Sequence, residues 1–194
     1  MPTLMSRSVE PSCMRPIPGT AFVLLVALAL GAGCTTAPGG LATYQQHGIS
    51  FDYPASWNLS EERDPDGGYT LTLDAGGGNS LTVSTTPNLS ARFLPTDRLD
   101  TLGVWVAESR ARLLNVGATV IEEHDETVAG RPAHRVVSAI RDEGVAYRSA
   151  LVVVAIGDTG YSFNLFALPG EFGDLEDDLQ RVLSSFRVDG ATRV

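Results

Sequence analysis

The sequence predicts an α+β sandwich: an antiparallel sheet of about six strands with two main helices. Three observations predict it. Alternating or β-branched runs occupy both halves of the chain, an amphipathic helical stretch interrupts them near the middle, and a second one closes the chain.

The elements follow in order. "ATYQQ" and "ISFDY" flank His47-Gly48, and "YTLTLDA" and "NSLTVSTT" flank Gly76–Gly78; both connections have hairpin-turn chemistry. In "PTDRLDTLGVWVAESRARLLNVG", Leu99, Leu102, Val106 and Leu113 recur near a 3.6 period, Thr96 can cap the start and Gly117 the end. Strands return with "ATVIEEHDETV" and "RPAHRVVSAIRD" around a Gly130-Arg131 turn. "VAYRSALVVVAI" and "YSFNLFAL" then flank "GDTG". The unbroken apolar run Ala150–Ile156 implies a central strand covered on both faces. A last helix, Glu171–Phe186, aligns Phe172, Leu175, Leu179, Val182 and Phe186. Its acidic first turns suit the positive end of the helix dipole. Residues 41–189 have the length of one ordinary domain, with 190–194 as a tail.

Ahead of this domain, Ala21–Leu30 is an apolar run too short to span a bilayer but of the length of a secretory core segment. Gly31, Ala32 and Gly33 precede Cys34, an arrangement that resembles a bacterial lipobox, with Gly31 where Leu, Val or Ile is usual. The resemblance implies that residues 1–33 are a signal peptide and that Cys34 is lipidated; ordinary cleavage leaving a free Cys34 is the alternative. Cysteine use favours lipid. Cys13, the only other cysteine, would leave with the signal peptide, and a lone thiol is reactive in an oxidising compartment. Met14 is the expected start, because beginning there gives a short n-region whose charge is Arg15. "TTAPGG" reads as a flexible tether within residues 34–40. A random coil from Cys34 to Leu41 spans roughly 15 Å.

The chain carries 14 basic and 23 acidic residues, a net charge of −9. Removing residues 1–33 deletes Arg7, Arg15 and Glu10, leaving 12 against 22, or −10. Phosphate contacts need clustered Lys or Arg, so this balance argues against a nucleic-acid partner.

The residues then reach a family. "GISFDYPASW" places Phe51, Tyr53, Pro54 and Trp57 in an F-x-Y-P-x-x-W pattern that resembles the opening signature of PsbP-like domains. "ETVAGRPAHRVV", the two apolar strands after it and "LQRVLSSFRV" are similar in layout to the family's closing third. The resemblance covers roughly residues 41–188 and includes DcrB-like bacterial lipoproteins. It implies an α/β/α sandwich around an antiparallel sheet, and members that act as accessory or binding proteins, with no shared catalytic residues.

Few residue clusters point to chemistry. In "EEHDE", a strand would set Glu122, His124 and Glu126 on one face, two carboxylates and an imidazole that could ligate a divalent ion. The plainer reading is a charged edge strand with Glu126 opposite Arg135. Asp158–Gly160 has the aspartic-protease tripeptide. That chemistry needs two such aspartates, and the chain has one, which makes a hairpin turn the expectation. Gly76–Gly78 lacks the Lys-Ser/Thr of a phosphate loop. His134 is expected as a partly exposed sheet residue, and Trp57 and Trp105 as core. The long connection Thr86–Thr96 carries Leu89, Phe93 and Leu94, which either anchor a partner or tuck back onto the sheet.

The expectation is therefore a non-catalytic binding or accessory module, on the extracytoplasmic side of the cell or outer membrane. It is held by lipid on Cys34, uses no cofactor, and meets an envelope protein through Leu89, Phe93 and Leu94. A metal-binding protein or metal-dependent enzyme using Glu122, His124 and Glu126 is one alternative. A carrier of a small apolar ligand, which needs a pocket between sheet and helices, is another.

Overall fold

The computed structural model describes residues 39–92 and 101–190. Cys34, Phe93, Leu94, Thr96 and Leu99 lie outside them.

The sheet divides in two. β1 (Leu41–Gln46) and β2 (Ile49–Pro54) form a hairpin whose two turn residues, His47 and Gly48, sit at φ 54° and 75°, as a tight hairpin turn requires. A two-residue strand, β10 (Arg187–Val188), pairs with the other side of β2 to make a three-stranded sheet. The Pro54–Trp57 turn, closed by the Trp57 N–H donating to the Pro54 carbonyl at 3.0 Å, carries the chain into the second sheet. That sheet has seven strands: β3 (Asn58–Arg63), β4 (Tyr69–Gly76), β5 (Asn79–Pro87), β6 (Thr119–Val128), β7 (Arg131–Asp142), β8 (Val145–Ile156) and β9 (Thr159–Ala167). Their spatial order is β3-β4-β5-β9-β8-β7-β6, with every neighbouring pair antiparallel. β6 to β9 form a meander of sequential hairpins, whereas β5 and β9, adjacent in space, join Ser80 to Phe166 across more than half of the described chain.

The central sheet thus exceeds the expected six strands by one. β3 has no alternation to announce it: "NLSEER" is an exposed edge strand and its charges face water. The β6–β7 turn is Ala129-Gly130, not Gly130-Arg131, because the two residues at positive φ (50° and 74°) are the ones a primed turn selects.

The helices sit on opposite faces. α3 (Phe172–Ser185) buries Phe172, Leu179, Val182 and Leu183, and Phe186 follows as its fully buried C-cap. Together with Phe51 and Trp57 these side chains meet Leu71, Leu81, Val152, Phe163 and Leu165 from the large sheet in one continuous core. Phe186 packs edge-on against Phe163 at 4.9 Å between ring centres, a favourable aromatic geometry. α2 (Thr101–Asn115) lies on the other face and turns Trp105, Ser109 and Leu113 inward at i, i+4, i+8. It ends in a Schellman motif: Gly117 at φ 76° donates to the Leu114 carbonyl and Ala118 to the Leu113 carbonyl, each at 3.0 Å, while Leu113 and Ala118 pack with Val136. A short α1 (Leu89–Arg92) precedes it.

Candidate functional site

α2 packs mainly on β7 and β8, and among the described residues no helix packs extensively on the same face of β5, β4 and the rest of β9 beyond Gly160. The strands there are built for it. Thr70 and Thr72 on β4, Thr82 and Ser84 on β5, and Ser162 and Asn164 on β9 alternate with fully buried Leu71, Leu81, Val83, Phe163 and Leu165, which face α3.

The edge of α2 and this polar strip enclose an open cleft of about 510 Å³. Thr82, Ser84, Ser162 and Asn164 form its floor, and Trp105, Leu113, Ile140, Leu151 and Phe166 form its walls. Phe166 is braced by Tyr147, stacked at 4.3 Å between ring centres. The Asn164 side-chain carbonyl accepts from the Ser149 hydroxyl at 2.7 Å, which fixes the amide. The charged groups on its lining, Arg112, Arg141 and Asp142, are exposed rim residues. The Arg112 guanidinium lies 5.9 Å above the Trp105 ring and pairs with Glu108. Hydroxyls and an amide below, apolar side chains beside and arginines above suit an amphipathic guest.

The residues singled out from sequence fall elsewhere. Leu89 is fully buried and is corrected from a partner anchor to a core residue. It packs with Trp105 and Val153, and a Cβ added at Gly160 would stand only 3.2 Å from both Leu89 and Trp105. Gly160 is therefore glycine because two side chains occupy the space above it. Asp158 gains a role too: its carbonyl accepts from the Leu89 N–H at 3.0 Å, and its carboxylate accepts from the Ser90 N–H at 2.7 Å and the Ser90 hydroxyl at 3.0 Å. The protease-like tripeptide is a hairpin turn that also fastens α1.

The Glu122, His124 and Glu126 trio does not converge. Among the described residues no set of three His, Cys, Asp or Glu gathers as a metal site. His124 and Glu122 pair at 3.1 Å on the exposed edge. Glu126 turns to Arg135 instead, at 4.0 Å, from a diagonal position: its direct partner is Ala133, the shift that the Ala129-Gly130 turn imposes. Burial pushes the Glu126 pKa up, against the opposing pull of Arg135 and His124. The buried Arg135 also pairs with Glu176 of α3, tying that helix to the sheet.

His134 is the better-furnished imidazole. Its Nδ1 lies 2.7 Å from Asp125 and its Nε2 2.8 Å from Glu123, and Glu123 reaches Arg110 of α2 at 3.3 Å. Desolvation pulls its pKa down, but hydrogen bonds to the two carboxylates outweigh that and raise it. The cluster is an ionic clasp between β6, β7 and α2.

The PsbP family model matches residues 39–188. The chain belongs to the PsbP family. Cyanobacterial PsbP (CyanoP) from Synechocystis is similar in structure at a TM-score of 0.57 and 17% identity, over 82% of this chain and 98% of that one. LpqN of Mycobacterium tuberculosis, described as involved in cell envelope biogenesis, gives 0.52 at 16%, over 77% and 90%. The Ran-binding protein Mog1p of Saccharomyces cerevisiae gives 0.51 at 12%, over 77% and 95%. At these identities the likeness is one of fold, a mixed α+β architecture with an antiparallel seven-stranded sheet. No curated protein matches the chain significantly. Among the described residues no helix is long and apolar enough to cross a membrane.

The cleft was not read from the sequence. Its signal was available in the run of Thr and Ser alternating with buried Leu and Val over "YTLTLDA" and "NSLTVSTT", which marks a strand face with no helix above it.

Proposed function

We propose that the protein is a non-catalytic binding or accessory module of the cell envelope, lipid-anchored on the extracytoplasmic side through Cys34. The observation that carries this reading is positional: the PsbP match begins at residue 39, five residues after a cysteine that follows an apolar run of the length of a secretory core segment. The fold likeness to LpqN, an envelope-biogenesis protein by its description, supports the location. The fold likeness to a Ran-binding protein supports a partner-binding use of the same architecture. Phe93 and Leu94 remain the proposed partner anchors, without Leu89.

Two measurements test it. Wild-type protein should partition into the detergent phase and Cys34→Ala into the aqueous phase; aqueous wild type would overturn the anchor. Crosslinking in intact membranes followed by mass spectrometry should then recover an envelope protein, and Phe93→Ala should weaken that crosslink without lowering stability.

The cleft favours a second reading, carriage of a small ligand. Its volume falls inside the roughly 300–1,000 Å³ range of small-molecule sites. Its half-polar lining fits an amphipathic molecule better than the purely apolar one expected.

A further inference from the structure

Five large hydrophobic residues are exposed among those described: Leu41, Leu114, Val116, Ile121 and Val145, at 51, 55, 62, 53 and 45%. They come from four separate elements and their ends, yet the register gathers them along one end of the large sheet. One row of paired residues crosses all seven strands: Asn58, Asp74, Ser80, Phe166, Ser149, Ser138 and Val120. Ile121 stands at the bulge beside Val120. Leu114 and Val116 end α2, immediately before the Gly117 turn into Thr119. Val145 opens β8 four residues before Ser149, so the β7–β8 hairpin extends about 13 Å beyond the row. Leu41 pairs with Pro54, whose turn delivers the chain to Asn58 at the same end.

This end is also where the domain begins. Leu41 follows Cys34 by seven positions, so it cannot stand more than about 25 Å from the point of lipid attachment. The charges suit a surface approach. Arg141 and Arg148 are offset by Asp142 and Glu143, so the β7–β8 hairpin tip carries no net charge on a domain whose net charge is −10 after residue 33. An acidic domain drawn to a bilayer meets less repulsion where it presents this balanced hairpin tip and its aliphatic neighbours, with the arginine stems reaching toward headgroups. A depression of about 460 Å³ lined by Ile121, Ala139, Ala146, Tyr147 and Arg148 adjoins the patch.

We propose that this end of the domain docks on the lipid surface to which Cys34 is attached, with Val145, Val116, Leu114 and Ile121 seated in the bilayer interface. The inference rests on the lipid-anchor reading and adds an orientation to it. The 510 Å³ cleft shares Ile140, Arg141 and Val116 with this end, so docking brings its mouth beside the membrane.

The test uses the full lipidated protein in vesicles of phosphatidylcholine and phosphatidylglycerol. Val145→Cys and Ala129→Cys, the latter on the β6–β7 turn at the far end, are each labelled with a fluorophore and exposed to brominated lipid. The label at 145 should be quenched several-fold more than the label at 129. Replacing Leu114, Val116 and Ile121 with serine should abolish that difference while the protein still floats with the vesicles. Flotation with equal quenching at both positions overturns the docking and leaves the anchor intact. A blue-shifted label at 145 without lipid quenching means that another copy covers the patch, which also overturns it. Failure of wild type to float overturns the anchor and the docking together.

Discussion

The two faces of the seven-stranded sheet carry the same strands and different fates. The face toward α3 is closed: a helix, a three-stranded sheet and the turn that carries Trp57 cover fully buried Leu71, Leu81, Val152, Phe163 and Leu165. Among the described residues the face toward α2 is covered over β7, β8 and the Gly160 end of β9, where Val136, Leu151 and Val153 meet Leu89, Trp105 and Leu113, and gives way to Thr, Ser and Asn beyond. Coverage follows composition strand by strand. β8 is apolar on both sides, meeting α2 on one and the continuous core on the other, whereas β4 and β5 are apolar on one side only. One face is therefore where the fold is held, and the other where it has room to bind.

The contrast can be broken from the closed side first. Phe163→Ala removes a fully buried ring from the centre of the α3 face and should cost about 3–5 kcal/mol in a denaturant titration, with Trp57→Ala in the same range. A loss below about 1 kcal/mol would show that the closed face is loosely packed. Gly160→Ala comes next, on the α2 face. Its new methyl at 3.2 Å from Leu89 and Trp105 should cost about 1–3 kcal/mol. Combining it with Leu89→Val should recover part of the loss, because the pair share one space.

His134 supplies a smaller, pH-dependent effect. Its folded pKa is raised above the ordinary imidazole value of 6.5, so its stabilisation is complete below that value and disappears as pH rises through the folded pKa. The stability gap between wild type and His134→Ala should be constant below about pH 6 and narrow as pH rises above the ordinary imidazole value. A gap that widens over that range would mean the imidazole is held neutral. The smallest effect belongs to the open face: Thr82→Val should change stability by within about 0.5 kcal/mol, since its side chain lines the open cleft. A larger change would show that the cleft floor contributes to folding.

The sequence carried the buried core almost whole. The five aligned apolar residues of the last helix, the unbroken run Ala150–Ile156 and both tryptophans announce burial, and all but the half-buried Leu175, Leu151 and Ala155 are buried. What it did not carry was division. "ATYQQ" and "ISFDY" read as strands, but which sheet a hairpin joins depends on β10, two residues long and without periodicity. Register was lost by a similar margin: choosing Gly130-Arg131 over Ala129-Gly130 moved the expected partner of Glu126 by two residues. Of the candidate site residues, Leu89 had the polar neighbours of a surface anchor. Only the approach of Gly160, seventy-one positions later in sequence, explains its burial.

The junction of β5 with β9 sets an order in time. Hairpins β6–β7, β7–β8 and β8–β9 each close over turns of two residues, and closing so short a loop costs little chain entropy. Pairing β5 with β9 must gather at least the 71 residues between Pro87 and Thr159 before a single bond rewards it, and β2 with β10 must gather still more. The meander under α2 is therefore the piece able to assemble from local contacts, and the β1–β5 segment adds to it as a second, slower event. Pulse-labelled amide exchange should protect Val136, Val152 and Tyr161 before Leu71 and Phe51.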